Sequence, residues 1–365
     1  FRKRFYFRYA LALAGRSAHY AENYPKMSFA YLHKIPTPDE ILGMMPMPPK
    51  LKSIKAKRDE DILAVLKGRD KRFLLIIGPC SADDEDALSE YVLRLAAVQS
   101  KVKDKLILIP RIYTNKPRTT GAGYKGMLHQ PKAAEDPNIS QGILAIRRMH
   151  LRVLSESGLT AADEMLYPGN YPYLEDILSY VTIGARSVEN QEHRLTVSGL
   201  DIPVGMKNPT SGDLNVLLNS VQAAQAPHTF IYNGWEVKTK GNAYAHCILR
   251  GAINHHGQSI PNYHYEDLIH FAGLYLKRNL VCPAIIVDTN HANSDKNFRE
   301  QPRIAEEVMR SLAKSKDLKK MVKGLMVESY LEEGSQEVKG KVFGRSITDP
   351  CLGWPDTKEL ILKLG

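Results

Sequence analysis

Short apolar runs of strand length recur along the chain from residue 73 onward. Most of them are apolar throughout and do not alternate with polar residues, a pattern typical of parallel strands that are buried on both faces. Eight such runs are predicted as strands: Phe73–Ile77, Leu106–Pro110, Thr160–Met165, Val181–Ala185, Pro203–Met206, His228–Tyr232, Ala284–Asp288 and Gly324–Glu328.

Segments with apolar residues at helical spacing lie between these runs. They predict helices over Glu85–Val98, Gln141–Ser155, Tyr173–Tyr180, Leu214–Ala224, Tyr265–Lys277 and Ile304–Ala313. Eight strands that alternate with helices between residues 71 and 365 fit the size of a (β/α)8 TIM barrel, an α/β fold. A doubly wound open sheet is the rival architecture.

The first 70 residues lack this regular pattern. Five prolines between residues 36 and 49 interrupt the chain, and the charged stretch Leu51–Lys67 is predicted as a helix. We therefore divide the chain into a leader (1–26), an N-terminal arm that extends the fold (27–70) and a barrel (71–365).

The net charge of +10 suggests a polyanionic partner, since 50 Lys and Arg face 40 Asp and Glu. Half of that surplus lies in the leader, where six cations face only Glu22. We interpret the leader as upstream sequence outside the functional fold, because Met27 would be a natural start. A targeting segment is the alternative.

Composition and cysteine spacing narrow the protein class. The chain is 43% hydrophobic and 25% charged, which is typical of a globular protein and excludes extensive disorder. The four cysteines form no C-x-x-C pair, which argues against a disulfide framework or a zinc ribbon and favours a reducing compartment. We therefore predict a cytoplasmic protein. No run of about 18 apolar residues occurs, so no membrane association is expected.

One glycine motif is misleading. Gly121–Gly126 matches G-x-G-x-x-G, but a dinucleotide fingerprint needs a strand before it and a helix after it. Here a Lys-Pro-Arg segment precedes the motif and Pro131 follows it. The motif therefore predicts a flexible or tightly turned loop at a site, and no nucleotide binding.

Residues that can bind a metal follow several predicted strands, where the chemistry of a barrel collects. Cys80 follows strand 1. Strand 7 ends at Asp288 and is followed by His291. Glu328 ends strand 8, and Asp349 lies further along the chain. One sulfur, one nitrogen and two carboxylates suit a divalent transition ion without selecting one metal. Taken singly, each residue type is more often a packed or hydrogen-bonded side chain.

Cations form a second set at the predicted strand ends. Six cations around one barrel mouth would repel one another unless anions bind there, and arginine forks match phosphate oxygens. The six are Arg111, Lys116, Arg118, Arg186, Lys207 and Arg250. Because they lie on separate loops and not along one helix, they argue against a nucleic-acid surface.

At these residues the sequence resembles type I 3-deoxy-D-arabino-heptulosonate 7-phosphate (DAHP) synthase. The resemblance runs from about Leu51 to the C-terminus, more weakly from Met27, and its motifs occur in family order. They are Gly78-Pro79-Cys80-Ser81, Lys116-Pro117-Arg118-Thr119, Ile183-Gly184-Ala185-Arg186-Ser187, Pro203-Val204-Gly205-Met206-Lys207-Asn208, Ile248-Leu249-Arg250-Gly251, His291-Ala292-Asn293, Met326-Val327-Glu328-Ser329 and Ser346-Ile347-Thr348-Asp349.

The resemblance implies a transferase that condenses phosphoenolpyruvate with erythrose 4-phosphate and releases phosphate, the first step of the shikimate pathway of aromatic amino acid biosynthesis. It implies that a divalent ion (Mn²⁺, Fe²⁺, Co²⁺ or Zn²⁺) is held by Cys80, His291, Glu328 and Asp349. It also implies phosphoenolpyruvate contacts from Arg111, Lys116, Ala185, Arg186, Lys207 and Arg250, and sugar-phosphate contacts from Lys116, Arg118 and Thr119.

Other implications of the resemblance leave choices open. Lys116 and Glu164 are the candidate catalytic residues, and a metal-bound water is a further candidate for activating the attacking water. The arm is expected to serve a homo-oligomer (dimer or tetramer) and an allosteric aromatic amino acid, whose identity is undetermined. A synthase of the 3-deoxy-octulosonate 8-phosphate type, an inactive barrel that senses aromatic amino acids, and a nucleic-acid-binding module are the alternatives.

Overall fold

The computed structural model describes residues 29–118 and 120–365. The predicted leader, the start at Met27 and the candidate ligand Thr119 lie outside this part of the chain. The helices are α1 (Pro38–Met44), α2 (Pro49–Leu66), α3 (Glu85–Val102), α4 (Ile139–Ser157), α5 (Gln191–Val197), α6 (Leu214–Gln225), α7 (Tyr265–Lys277), α8 (Gln301–Lys314), α9 (Lys316–Met321) and α10 (Trp354–Leu364). Short 3₁₀ turns span Pro168–Tyr173, His291–Asn293 and Phe298–Glu300.

The strands are β1 (Phe73–Gly78), β2 (Leu106–Pro110), β3 (Ala162–Glu164), β4 (Tyr180–Ile183), β5 (Val204–Lys207), β6 (Thr229–Tyr232), β7 (Trp235–Lys238), β8 (Ala245–Leu249), β9 (Ala252–Ile253), β10 (Ser259–Ile260), β11 (Ile285–Asp288), β12 (Val322–Glu328), β13 (Glu332–Ser335) and β14 (Arg345–Ser346). Eight of them form one sheet in the order β2-β1-β12-β11-β8-β5-β4-β3.

This sheet closes into a barrel. Neighbouring strands are parallel, and the two end strands β2 and β3 meet through a single bridge between Arg111 and Ala162. Helices separate most of the successive barrel strands along the chain. The prediction of a (β/α)8 barrel is therefore confirmed, and the open sheet is excluded. Within the described part of the chain, no helix has the length and apolar character needed to span a membrane.

Two predicted elements are wrong. Thr229–Tyr232 is a strand, but it pairs with β7 in an antiparallel hairpin outside the barrel, and the sixth barrel strand is Ala245–Leu249. The hairpin strand is apolar enough to mislead, whereas polar His246 interrupts the true strand. Tyr173–Tyr180 is not a helix, because a 3₁₀ turn ends at Tyr173 and β4 begins at Tyr180.

The helix α2 packs against the amino-terminal end of the barrel. Ile62, Val65 and Leu66 join one buried apolar cluster with lumen residues of the strands. At the same end, Asp59 contacts Ser179, the residue before β4, and Arg58 donates to the carbonyl of Leu108 at 2.5 Å. This helix therefore belongs to the compact unit Met47–Gly365.

The preceding unit, which ends at Pro46, contains α1. Thr37 caps this helix through a capping box with Glu40, in which the Thr37 amide donates to the Glu40 carboxylate at 2.8 Å. The division of the sequence into leader, arm and barrel, with a regulatory role for the arm, stays a prediction.

Candidate active site

A ring of charged side chains lies at the carboxyl end of the barrel lumen. Side chains alternate along a strand, so each residue two positions beyond a lumen-facing residue also faces the lumen. Apolar lumen residues such as Ile109, Ala162 and Met326 are followed in this way by charged ones. The resulting layer includes Arg111, Glu164, Lys207, Asp288 and Glu328.

Three of the four predicted metal ligands lie together. One ligand atom from each of Cys80, Glu328 and Asp349 falls within 4.8 Å of the others. The Cys80 thiol donates to Asp349 Oδ2 at 3.1 Å, and Asn290 Nδ2 donates to Glu328 Oε2 at 2.6 Å. Cys80 and Glu328 are buried and Asp349 is partly exposed. A sulfur and two carboxylates in one pocket have the donor chemistry of a transition-metal site.

His291 stands just outside this group of three. Its Nε2 is 3.9 Å from Glu328 Oε1, and its Nδ1 is 3.0 Å from Asp288 Oδ2. Histidine ligands commonly donate their second ring nitrogen to a carboxylate, so the Asp288 contact leaves Nε2 available on the Glu328 side. The backbone of His291 is left-handed, with a φ of 56°, an uncommon conformation for a residue other than glycine.

The ammonium group of Lys116 lies among the same ligands. It contacts the Cys80 sulfur and is 3.1 Å from Asp349 Oδ2. Burial alone would lower the Lys116 pKa, but the interactions with Cys80 and Asp349 outweigh it and the pKa is raised. The pocket therefore already stabilises positive charge, which is the property that a cation site requires.

The protonation states of the four candidate ligands differ. Burial, reinforced by Glu328, raises the pKa of the Cys80 thiol to about 11. Burial opposes ionisation of Glu328 and Asp349, but Arg111 and Lys116 respectively hold their pKa values below the usual range. Burial lowers the pKa of His291. At neutral pH only the thiol would have to lose a proton to bind a metal.

Arg111 links the cation set to the ligand set. Its Nη2 is 2.8 Å from Glu328 Oε1, its Nη1 donates to the Pro79 carbonyl, and its guanidinium lies 3.7 Å from the ring centre of Tyr113. Glu328 Oε1 makes this ion pair without a hydrogen bond from any residue that the structure describes. This buried oxygen therefore retains coordinating capacity.

Lys207 and Asp288 form a buried ion pair on adjacent parts of the ring, with Nζ 2.8 Å from Oδ2. Burial would lower the Lys207 pKa, but Asp288 outweighs it and the pKa is raised. Reciprocally, His291 and Lys207 overcome the burial of Asp288 and hold its pKa well below its usual range. Both groups are therefore charged at neutral pH.

Arg250 and Arg186 form the part of the site best suited to an anion. Arg250 is buried, and its Nη1 has no hydrogen-bond partner within the described residues. Burial lowers the Arg250 pKa, and the positive charge of exposed Arg186 lowers it further. An anion between two arginines would supply the missing acceptor and relieve their repulsion. Ala185 lies beside Arg186 and is partly exposed.

Arg118 is held by the glycine loop. Its Nε donates to the Tyr124 carbonyl at 2.7 Å, and the loop glycines Gly121, Gly123 and Gly126 all have positive φ. A Cβ on Gly126 would overlap the backbone of Thr114 and Asn115. The loop is thus tightly turned. Among the described residues, no strand directly precedes it and no helix directly follows it, so it lacks the flanking elements of a dinucleotide-binding site.

Glu164 lies at the end of β3, beside the strand that leads to Arg111 and Lys116. Burial raises its pKa, while Lys207 and Lys116 act in the opposite direction. A Cβ at position 184 would overlap its Oε1, so glycine in the Gly184-Ala185-Arg186 motif permits this approach. A carboxyl group with a raised pKa near cations is suited to accept or donate a proton.

Several supporting residues were missed by the sequence argument. Asp288 contacts both His291 and Lys207, and its position two residues beyond lumen-facing Ile286 could have revealed it. An asparagine network holds the backbone around Arg250: Asn208 Oδ1 accepts from the Arg250 amide at 2.9 Å, and Asn262 Oδ1 accepts from Gly251 at 2.8 Å. Asn208 and Asn262 come from two separate segments of the chain, so no spacing in the sequence predicts that they meet.

The chain is similar in sequence to curated enzymes of one name. The chain is 38% identical over 337 residues to the Phe-sensitive phospho-2-dehydro-3-deoxyheptonate aldolase of Escherichia coli (strain K12), which covers 90% of this chain and 93% of the relative. It is 34% identical over 344 residues to the Trp-sensitive enzyme of the same strain, with 92% and 95% covered.

The fold is also similar to a solved structure. The phospho-2-dehydro-3-deoxyheptonate aldolase from Francisella tularensis SCHU S4 superposes with a TM-score of 0.85 at 28% identity, over 93% of this chain and 97% of that one. The sequence model of the DAHP synthetase I family matches residues 51–362, which include every described residue of the charged ring and the ligand group. The chain therefore belongs to the DAHP synthetase I family.

Proposed function

We propose that this protein is a DAHP synthase that condenses phosphoenolpyruvate with erythrose 4-phosphate and releases phosphate. The observation that carries the proposal is the charged ring, which places cations beside a group of metal-ligand side chains. Two phosphates and one carboxylate must enter the site, and the cation set supplies charge for that load. Family membership and the names of the relatives support the same activity.

Different side chains are assigned to the two substrates. Arg186, Arg250 and Lys207 are assigned to phosphoenolpyruvate, because buried Arg250 has an unpartnered Nη1 and Lys207 is charged. Ala185 would add its backbone amide, and Arg111 would add charge from the floor of the site. Arg118 and Thr119 are assigned to the sugar phosphate, with Lys116 between the two substrates.

A divalent ion is part of the proposal. Cys80, Glu328, Asp349 and His291 would hold it, and the stabilised Lys116 ammonium group in this pocket supports a cation there. When bound, such an ion supplies Lewis acidity toward the aldehyde oxygen. Mn²⁺, Fe²⁺, Co²⁺ and Zn²⁺ all suit this mixed donor set.

The protein's own groups then act on protons and charge. C3 of phosphoenolpyruvate attacks the aldehyde carbon, C2 takes up a water, and the resulting hemiketal phosphate loses phosphate by C–O cleavage. Lys116 lies beside the ligand group and Glu164 ends the neighbouring strand β3, so we assign proton transfer to these two residues. Positioning of two like-charged substrates by the fixed cations lowers the remaining barrier.

The test is phosphate release from phosphoenolpyruvate in the presence of erythrose 4-phosphate, with and without a chelator. We expect phosphate release that stops on chelation and returns when a divalent ion is added. Release with arabinose 5-phosphate but not with erythrose 4-phosphate would favour the octulosonate alternative. No release with either sugar would contradict the proposal and favour the inactive sensor.

We also propose that an aromatic amino acid regulates the enzyme and that it assembles as a dimer or tetramer. Relatives of this chain are named Phe-, Trp- and Tyr-sensitive, which supports an effector of this class. Initial rates with each of the three amino acids would identify the effector, and light scattering would give the assembly size. Unchanged rates with all three would contradict the regulatory part alone.

A further inference from the structure

The barrel has a seam beside the candidate active site. Each other pair of neighbouring strands is joined by a ladder of several residues, but β2 and β3 meet through only the bridge between Arg111 and Ala162. Beyond that bridge, the chain from β2 runs on to Lys116, and β3 ends at Glu164. The two candidate catalytic residues therefore lie on opposite sides of the weakest join in the barrel.

A single buried carboxylate spans this seam. Asp163 Oδ1 accepts from the Thr114 amide at 2.9 Å, and Asp163 Oδ2 accepts from the Thr114 hydroxyl at 2.5 Å. Thr114 is two residues before Lys116, and Asp163 is directly before Glu164. These two hydrogen bonds thus join the chain after β2 to β3 beyond the single bridge.

A histidine lies behind the carboxylate. Asp163 faces away from the lumen, since Glu164 faces into it, and His150 of α4 packs against it with Nε2 3.5 Å from Asp163 Oδ2. Both side chains are almost fully buried. Neither ring nitrogen of His150 has a hydrogen-bond partner among residues 29–118 and 120–365. Its ring therefore packs against the carboxylate without a hydrogen bond.

A packing role alone explains this arrangement poorly. Burying a carboxylate costs free energy, and apolar residues of the same size would avoid this cost. Apolar side chains alone would therefore give a more stable barrel wall. Both oxygens of the retained carboxylate accept from Thr114 of the neighbouring loop, and Oδ1 also accepts from the Glu164 amide at 2.7 Å. That specificity indicates a requirement for the position of the loop.

We propose that Asp163, supported by His150, is a positioning residue that sets the place of Lys116 relative to Glu164. The inference rests on the proposed DAHP synthase reaction, in which both of those residues act. Displacing the loop would move the Lys116 ammonium group away from Cys80 and Asp349. Small displacements of reacting groups have large effects on turnover.

The experiment compares Asp163→Ala, Asp163→Asn and Thr114→Val in the full chain. Amide hydrogen exchange at Thr114 should accelerate at least about tenfold in Asp163→Ala, because its acceptor is lost. The turnover number should fall about tenfold or more. Asp163→Asn should rescue part of both losses, since its amide oxygen can still accept from the Thr114 amide. Asp163→Ala combined with Thr114→Val should be no slower than Asp163→Ala alone.

A matched control separates positioning from general destabilisation. Asp176→Asn breaks another ion pair to α4, in which Arg147 Nη1 lies 2.7 Å from Asp176 Oδ1, but it does not touch Thr114. This control should lose stability while leaving Thr114 exchange and turnover of the folded protein unchanged.

Unchanged exchange at Thr114, or faster exchange with undiminished turnover, would overturn the proposal. Additive losses in the double variant would also overturn it. If the unaltered protein forms no product, the proposed function fails. Hydrogen exchange at Thr114 in Asp163→Ala then tests separately whether Asp163 fixes the position of the loop. Unchanged exchange would contradict that structural role as well.

Discussion

The two ends of the barrel lumen differ in chemistry although the same strands build both. At the amino-terminal end, Leu74, Ile107 and Ala284 meet Leu66 and its neighbours on α2 in a closed apolar cluster. A few residues further along the strands, the lumen instead carries Arg111, Lys207 and Glu328. The helix that closes the amino-terminal end buries apolar side chains there, and this burial stabilises the fold. The other end can therefore carry charged side chains, although these are costly to bury.

Substitutions at the two ends should therefore have separable effects. Changes at the charged end should alter activity, metal binding or both. Changes at the apolar end should alter the free energy of unfolding while the folded protein keeps its activity.

The largest effect is expected for Cys80→Ala, which removes one candidate ligand. Turnover should fall by more than about a hundredfold, since even supporting residues of metal sites are worth about 10- to 100-fold. Cys247→Ala is the matched control, because Cys247 is a buried cysteine of β8 outside the ligand group. Initial rates and metal content of both variants check this prediction. Equal losses in the two would contradict the metal assignment.

Asp288→Ala should reduce both stability and turnover. It leaves buried Lys207 without its ion-pair partner and removes the carboxylate that orients His291. Breaking a buried pair from one side costs about 3–5 kcal/mol. Urea denaturation measures the stability, and rates at temperatures where the variant is folded measure the chemistry. Full activity of the folded variant would show that Asp288 serves stability alone.

Ile62→Ala tests the apolar end. Ile62 is fully buried in the cluster under the barrel, and truncating such a residue costs about 2–5 kcal/mol. Calorimetry should show the lost stability, while turnover per folded molecule stays within about twofold of the unaltered protein. A large loss of turnover in folded Ile62→Ala would mean that the two ends are coupled.

The smallest effect is expected for His246, which lies in the middle of the lumen and should make stability depend on pH. Burial lowers its pKa to about 4, and its Nε2 lies 2.7 Å from the Tyr180 hydroxyl. An unfolded histidine titrates near pH 6.5, so between about pH 6.5 and 4 the unfolded chain binds a proton that the folded chain does not. Stability should therefore fall as pH decreases through this range.

The variant His246→Gln isolates this contribution. The slope of unfolding free energy against pH should become shallower by up to about 1.4 kcal/mol per pH unit between pH 6 and 5. Denaturation series at several pH values measure that slope. An identical slope in the unaltered protein and in His246→Gln would contradict burial of a neutral histidine.

The sequence was most informative where local pattern and function coincide. The apolar runs predict seven of the eight barrel strands, and the residues at or just beyond their ends include Cys80, Lys207 and Glu328. The strand Ala245–Leu249 was missed because His246 interrupts it and the neighbouring hairpin strand carries a stronger apolar run. Its polar residue is accommodated by Tyr180, a partner on another strand.

Long-range partnerships could not be predicted from the sequence. Asp163 and His150 lie on a strand and a helix, and neither residue carries a local signal of the other. The asparagines around Arg250 likewise come from separate loops. Only the closure of the barrel brings these groups together, because it sets which loops meet at the carboxyl end.

The central claim is that the carboxyl end of the lumen joins two phosphorylated substrates beside a divalent ion. The most direct measurement is mass-spectrometric detection of the seven-carbon product from phosphoenolpyruvate and erythrose 4-phosphate, before chelation, after it, and after a divalent ion is restored. We predict product with equimolar phosphate in the first and third samples and none in the second. Product formation that is indifferent to chelation, or no product in any sample, would contradict the claim.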